Sequence, residues 1–231
     1  MNTLAVFILA VLGAAAVYAV GPTLWYKYGR RNTPLSGKQK QIILSFDDGP
    51  DPRYTPELLK ILQTYQVKAA FFVLAEKAEK YPQLMQDIVA QGHLVGLHGW
   101  DHRQTLFASC RRLSRDLQRG LAALQKAGCH PRYYRPPHGY INLSLLLLLK
   151  KNRLHLLLWT VMAQDWQAAT TDAQILDKLC RRCRPGSLIC LHDSGEGSGG
   201  APGAPQRTLA ALRRFIPQMQ EAGYRFVLPL P

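Results

Sequence analysis

Apolar runs of strand length alternate with amphipathic segments of helix length over most of this chain. Candidate strands are 42–47, 69–74, 94–98, 132–136, 155–161, 187–192 and 225–229, and amphipathic stretches fall between them at 55–66, 81–91, 109–127, 142–152, 171–183 and 207–222. Such alternation predicts parallel βα units with both sheet faces covered. Seven strands imply an α/β fold of the distorted (β/α)7 barrel type, whose active site gathers at the C-terminal strand ends. The Leu-rich runs 145–149 and 154–158 are separated by Lys150-Lys151-Asn152-Arg153, so neither crosses a membrane. They read as a buried helix followed by a buried strand.

The first segment breaks the alternation. Leu4 to Tyr26 carries no charged side chain, and about 20 apolar residues suffice to cross a bilayer. Residues 1–26 are expected to be one N-terminal transmembrane helix, a membrane anchor or an uncleaved signal segment. Small residues at 14–19 leave signal cleavage open, although the positive n-region of a signal peptide is missing. Residues 27–40 read as a polar linker and 41–231 as the catalytic domain. Lys27, Arg30, Arg31, Lys38 and Lys40 follow the span. The positive-inside rule would put the domain in the cytoplasm, against the extracytoplasmic side expected below.

At 231 residues, 47% hydrophobic and 19% charged, the chain is globular and long enough for one sizeable core. The 29 Lys+Arg against 15 Asp+Glu leave a net charge of +14. General solvation is one reading of this excess. Attraction to an anionic envelope is the preferred one. No nucleic-acid-binding module is recognisable, and neither a nucleic-acid nor a protein partner is expected. Five cysteines cannot all pair within one chain. Cys180-Arg-Arg-Cys183 lacks a second such pair and reads as small apolar helix positions, with a disulfide or metal site as the alternative.

The chemistry concentrates at predicted strand ends. Asp47 and Asp48 leave the first strand into Gly49-Pro50, and adjacent carboxylates need positive partners. His98 and His102, Arg135, Asp165 and His192 fall at or just past later strand ends. Histidines four apart on a helical turn can share one ion. Together with an aspartate they leave coordination positions open for water and substrate.

Five ordered motifs carry a resemblance. Ser45-Phe46-Asp47-Asp48-Gly49-Pro50, His98 to His102, Arg135-Pro136-Pro137-His138-Gly139, Asp165-Trp166 and Leu188 to Asp193 resemble those of the polysaccharide deacetylase family, the NodB-homology or carbohydrate esterase 4 enzymes. The match runs from about 41 to 229. It implies a metal-dependent hydrolase removing N-acetyl groups from amino sugars of a polysaccharide, with peptidoglycan favoured. Asp48, His98 and His102 would hold a divalent metal, zinc first, with Co, Mn, Fe or Ni as alternatives. Asp47 would be the general base, oriented by Arg135. His192 would be the general acid, held protonated by Asp165. A backbone N–H near His138 would help the metal stabilise the oxyanion. His138, Trp166 and Cys190 would wall the acetyl pocket, although Trp166 and Cys190 alone read equally as core residues. Alternatives are a cytoplasm-facing deacetylase or deformylase of a lipid-linked amino sugar, an O-acetyl polysaccharide esterase, and a non-catalytic carbohydrate-binding relative. Three positions depart from the family pattern: Gly99 for Ser or Thr, His138 for Tyr, and Met162 for Asp. His93, His130 and His155 match no motif and read as structural or surface residues.

Overall fold

The computed structural model describes residues 2–29 and 33–229. Arg30 and Arg31 of the expected linker lie outside the described residues. Among the described residues eight strands form one parallel sheet: β1 Gln41–Asp47, β2 Ala70–Val73, β3 Leu94–Leu97, β4 Tyr133–Tyr134, β5 His155–Leu156, β6 Val161–Met162, β7 Leu188–His192 and β8 Arg225–Phe226. The order is β5-β4-β3-β2-β1-β7-β6, with β8 added at the start of β1. The sheet curls into an incomplete barrel with helices outside.

Strand alternation decides which residues reach the interior, because successive side chains point to opposite faces. On β1, Ile42, Leu44 and Phe46 pack outward into the main core beneath the helices. Ile43 faces inward, in a second cluster with Ala70, Phe72, Tyr133, Leu157 and Leu188. Continuing by twos from Ile43 gives Ser45 and then Asp47. The same count on β7 gives Leu188, Cys190 and His192. The barrel axis therefore grades from an apolar plug at the N-terminal strand ends to polar groups at the other end.

Two expectations are corrected. The run 155–161 is not one strand; it divides into β5 and β6, the two ends of the sheet path. The carbonyls of Leu157 and Leu158 turn instead to the Arg135 guanidinium, at 3.0 and 2.9 Å. The linker is also less detached than its polarity implied, since Leu35 is buried in the interior cluster.

The N-terminal helix, α1, runs from Thr3 to Gly29 and is long and apolar enough to cross a membrane. Its winding widens to π-helical turns at Ala16–Val20 and Trp25–Gly29, on either side of Pro22. Proline lacks the amide that regular winding would use there. Ala19, Pro22 and Thr23 are buried against the barrel, whereas Leu4, Phe7, Leu9 and Leu12 are exposed.

Candidate active site

Asp47 and His192 come together through strand register, since they are partners on β1 and β7. Asp47 Oδ1 receives a hydrogen bond from Arg135 Nη1 at 2.5 Å. The same guanidinium donates to Ser45 Oγ, Leu157 O and Leu158 O, and lies 3.8 Å from the Phe72 ring centroid. Arg135 is completely buried, so its position is over-determined, and it holds Asp47 by one oxygen. Asp47 Oδ2 lies 3.3 Å from Cys190 Sγ and 4.0 Å from His98 Nε2.

Asp48, His98 and His102 converge beside this pair, with one potential ligand atom from each within 4.8 Å of the others. Asp48 Oδ1 is 3.3 Å from His98 Nε2 and 3.2 Å from His102 Nε2. It is buried and has no hydrogen-bond partner. His98 Nδ1 donates to the Arg135 carbonyl at 2.8 Å, which orients the ring so that Nε2 faces the carboxylate. Burial pushes His102 down to about 4, although Asp48 pulls the other way, so this ring is neutral at pH 7. Burial alone would raise the Asp48 carboxyl, but the His98 contact and the surrounding imidazoles outweigh it and hold it well below the usual range. Around a tetrahedral ion with bonds of about 2.0–2.1 Å, ligand atoms lie about 3.3 Å apart. The donor set and its spacing fit a divalent metal such as zinc.

The histidines do not reach this geometry on a helical turn, as the spacing predicted. Residues 98–102 form an irregular loop after β3. Gly99 has φ 87 and His102 φ 61, and these left-handed residues fold both rings back together. The departure at Gly99 is therefore suited to its backbone, because glycine adopts that region without penalty. Asp48 and His138 are also left-handed, at φ 75 and 58. Strained non-glycine residues gather at functional sites.

His192 Nδ1 lies 2.9 Å from Asp165 Oδ1. Asp165 Oδ2 accepts from the His192 amide and from Thr208 Oγ1, each at 2.9 Å. Burial opposes a charged imidazole, but Asp165, with Asp48 and Asp47, raises His192 to about 10. Trp166 packs edge-on to His192 with ring centroids 5.2 Å apart. Cys190 is fully buried behind Asp47, and burial and that carboxylate push its thiol well above its ordinary value. Asp47, Cys190 and His192 also converge within 4.8 Å. A protonated thiol, a cationic imidazole and the Arg135 contact make that trio a poor cation site.

Asp47, Asp48, His98, His102, Trp166 and His192 share a cleft of about 320 Å³, lined also by His138, Trp159, Met162 and Ser198 to Gly200. Cys190 was expected in the wall of the acetyl pocket and is not there: inward-facing but fully buried, it stands behind Asp47 and does not line the cleft.

The model of the polysaccharide deacetylase family matches residues 35–157. The chain belongs to this family. It is 31% identical over 195 residues to a peptidoglycan-N-acetylglucosamine deacetylase of Bacillus cereus, covering 84% of this chain and 88% of that one. It is 34% identical over 200 residues to a chitooligosaccharide deacetylase of Sinorhizobium fredii, covering 84% and 93%. The crystal structure of the Bc1960 peptidoglycan N-acetylglucosamine deacetylase in complex with 4-naphthalen-1-yl-N-oxidanyl-benzamide superposes with a TM-score of 0.78 at 28% identity, covering 88% of this chain and 92% of that one. A family 4 carbohydrate esterase from Streptomyces lividans in complex with acetate gives 0.73 at 27% identity, covering 81% and 92%. Membership places the chain among the deacetylases, hydrolases of carbon–nitrogen bonds outside peptides.

Several supports of this deacetylase site escaped the sequence reading. Ser198 Oγ donates to Asp48 Oδ2 at 2.8 Å, so the Gly/Ser/Pro-rich stretch 195–205, which reads from sequence as either a cleft rim or a plain surface loop, is a rim that touches the Asp-His-His set. Lys77 Nζ holds the Asp48 carbonyl at 2.9 Å and Ser194 Oγ at 2.6 Å. Asp193 accepts from Thr55 Oγ1 at 2.6 Å, and burial pushes its carboxyl up to about 7. A Cβ on Gly49 would meet that carboxylate at 2.3 Å, which explains the glycine after the two aspartates. The signal for Asp193 was its place beside His192. Among the unmatched histidines, His93 Nδ1 accepts from the Ala69 amide at 3.2 Å. All five cysteines are free thiols.

Proposed function

We propose that the protein is a metal-dependent N-deacetylase of amino sugars in an envelope glycan, with peptidoglycan the favoured polymer. One observation carries this reading: an Arg-held aspartate and an Asp-held histidine stand as register partners beside a buried Asp-His-His set in one cleft. Asp48, His98 and His102 would hold the ion, which as a Lewis acid activates water and polarises the acetyl carbonyl. Zinc suits two imidazoles and a carboxylate best.

The chain's own residues divide the proton transfers. Asp47, with Oδ1 committed to Arg135, takes the proton of the attacking water on Oδ2. The water oxygen bonds to the acetyl carbon. A backbone N–H in the Pro137–Gly139 turn donates to the developing oxyanion. His192 gives its Nε2 proton to the leaving nitrogen as the C–N bond breaks, and Asp165 keeps that imidazole charged beforehand. The products are acetate and a free amine. Trp159, Met162 and Trp166 supply the apolar wall for the acetyl methyl, and His138 lines the same cleft. Cys190 acts on Asp47 from behind, as a weak donor to Oδ2.

The relatives named for peptidoglycan and chitooligosaccharides support amino-sugar substrates. We take α1 as a single-pass anchor, with the domain outside the cytoplasm against the wall. The basic residues after the span favour the opposite side, and a C-terminal reporter active only outside the membrane separates the two. The activity test is mass spectrometry of glycan incubated with the protein. Loss of acetyl from N-acetylglucosamine units supports the reading, and unchanged glycan with the metal bound counts against it.

A further inference from the structure

The anchor helix is built into the cleft. Thr23 Oγ1 donates to the Ile141 carbonyl at 2.8 Å and accepts from the Ile141 amide at 2.9 Å. One turn further on, Lys27 lines the same cleft as Asp47, Asp48, His98 and His102. Its Nζ donates to the His138 carbonyl at 3.3 Å and lies 4.8 Å from the Tyr140 ring centroid. A Cβ on Gly139 would come within 3.1 Å of Lys27 Cε and 2.8 Å of the Trp159 ring. Glycine at this position opens the channel through which the lysine enters. A cation thus stands at the cleft wall, on a residue contributed by the membrane segment and outside the five family motifs.

Helix length sets the depth of that cation. At 1.5 Å per residue, the undocked stretch from Thr3 to Val17 is about 22 Å long, short of the hydrocarbon core of about 30 Å. A spanning α1 must therefore carry part of its docked stretch, Tyr18 to Thr23, into the bilayer boundary. The barrel surface beside that stretch is fitted for this. The Tyr18 hydroxyl lies 3.0 Å from the Ala108 carbonyl and 3.0 Å from Ser144 Oγ. Next to these contacts Phe107, Leu143 and Leu147 are exposed, by 69%, 41% and 69%. Trp25 and Tyr28, exposed beyond Thr23, suit the aromatic belt at the membrane–water interface. Lys27 lies between them in sequence, and a bilayer core of about 30 Å measured along α1 from Thr3 would end near Thr23, which would set Lys27 about 6 Å beyond it, in the headgroup layer.

We propose that Lys27 is a specificity-determining residue that binds the phosphate of a lipid-linked N-acetyl amino sugar, so that the enzyme acts on envelope glycan of the proposed class but fastest while its amino sugars are still tethered to the membrane lipid. The inference rests on the deacetylase reading and on α1 as a retained anchor, and it narrows the substrate.

The test uses the full chain, zinc-loaded, in phosphatidylethanolamine–phosphatidylglycerol vesicles. Acetate release is compared on polyprenyl diphosphate N-acetylglucosamine, soluble N-acetylglucosamine 1-phosphate and the neutral N-acetylglucosamine tetramer. The expected result is a kcat/KM at least 100-fold higher for the lipid-linked sugar than for the tetramer. Lys27→Gln should cut that ratio tenfold or more, through KM, and Lys27→Arg should largely restore it, with thermal unfolding unchanged in both. Equal rates on the soluble phosphate and the lipid-linked sugar would overturn the membrane part. A ratio unmoved by Lys27→Gln, or a preference for the tetramer, would overturn the assignment, as would a mature N-terminus beyond Lys27. Acetate from none of the three would fell the deacetylase reading itself, and the inference with it.

Discussion

Asp47 and His192 occupy the same register level at the C-terminal ends of the neighbouring parallel strands β1 and β7. Adjacent strands lie about 4.8 Å apart, so the sheet itself sets the separation of the proposed base and acid. Behind them Arg135 and Asp165 fix one atom of each, Asp47 Oδ1 and His192 Nδ1. The atoms left facing the cleft are the ones to which we assign the proton transfers.

Asp47→Asn removes the proton acceptor while keeping the size of the side chain. We expect kcat to fall about 10²–10⁴-fold with zinc content unchanged. Acetate release paired with metal analysis checks both. A variant that keeps its rate would place the base elsewhere.

Asp165→Asn strips His192 of its principal charge partner. Asp165 raises the imidazole to about 10 against the pull of burial. The acid form therefore persists through neutral pH, and activity is lost on the alkaline side. In the variant that alkaline limb moves to lower pH. The linkage sign agrees: the stability from the charged ring is complete below the ordinary imidazole value near 6.5 and is lost as pH rises through about 10. Rate profiles and unfolding midpoints across this window follow the shift.

Arg135→Ala leaves Asp47 buried without its cation and orphans the Leu157 and Leu158 carbonyls at the open seam between β5 and β6. Breaking a buried pair costs about 3–5 kcal/mol. Chemical denaturation of the full chain in detergent should show a loss of that size.

Ser198→Ala removes the hydrogen bond that orients Asp48 Oδ2. Losing such support weakens metal binding about 10–100-fold, with little change in kcat once metal is saturating. Competition with a chromophoric chelator measures the difference.

Much of this site was legible because strand ends and the period of two are local signals. The run into Asp47-Asp48-Gly49-Pro50 marked both a strand and the end that opens on the cleft, and counting by twos along β1 and β7 places Asp47 and His192 inside. The 98–102 loop was misread as helical because a four-residue spacing has the same count in a helix and in a loop with left-handed turns at Gly99 and His102. The split of 155–161 was hidden because its cause, the Arg135 side chain, lies on another strand end. Lys27 was invisible as a cleft residue for the same reason. Its place follows from α1 docking on Ile141 and His138, contacts that no local periodicity encodes.

The most direct measurement strips the full chain with a chelator and titrates Zn²⁺ back while following acetate release from N-acetylglucosamine oligomers and the unfolding midpoint together. The account predicts an inactive stripped protein whose activity and Tm rise in parallel and saturate at one ion per chain. At a free ion level a thousand times Kd the gain is about 4 kcal/mol, and both responses are lost in His102→Ala. Full activity in the stripped protein, or a zinc response intact in that variant, would contradict it.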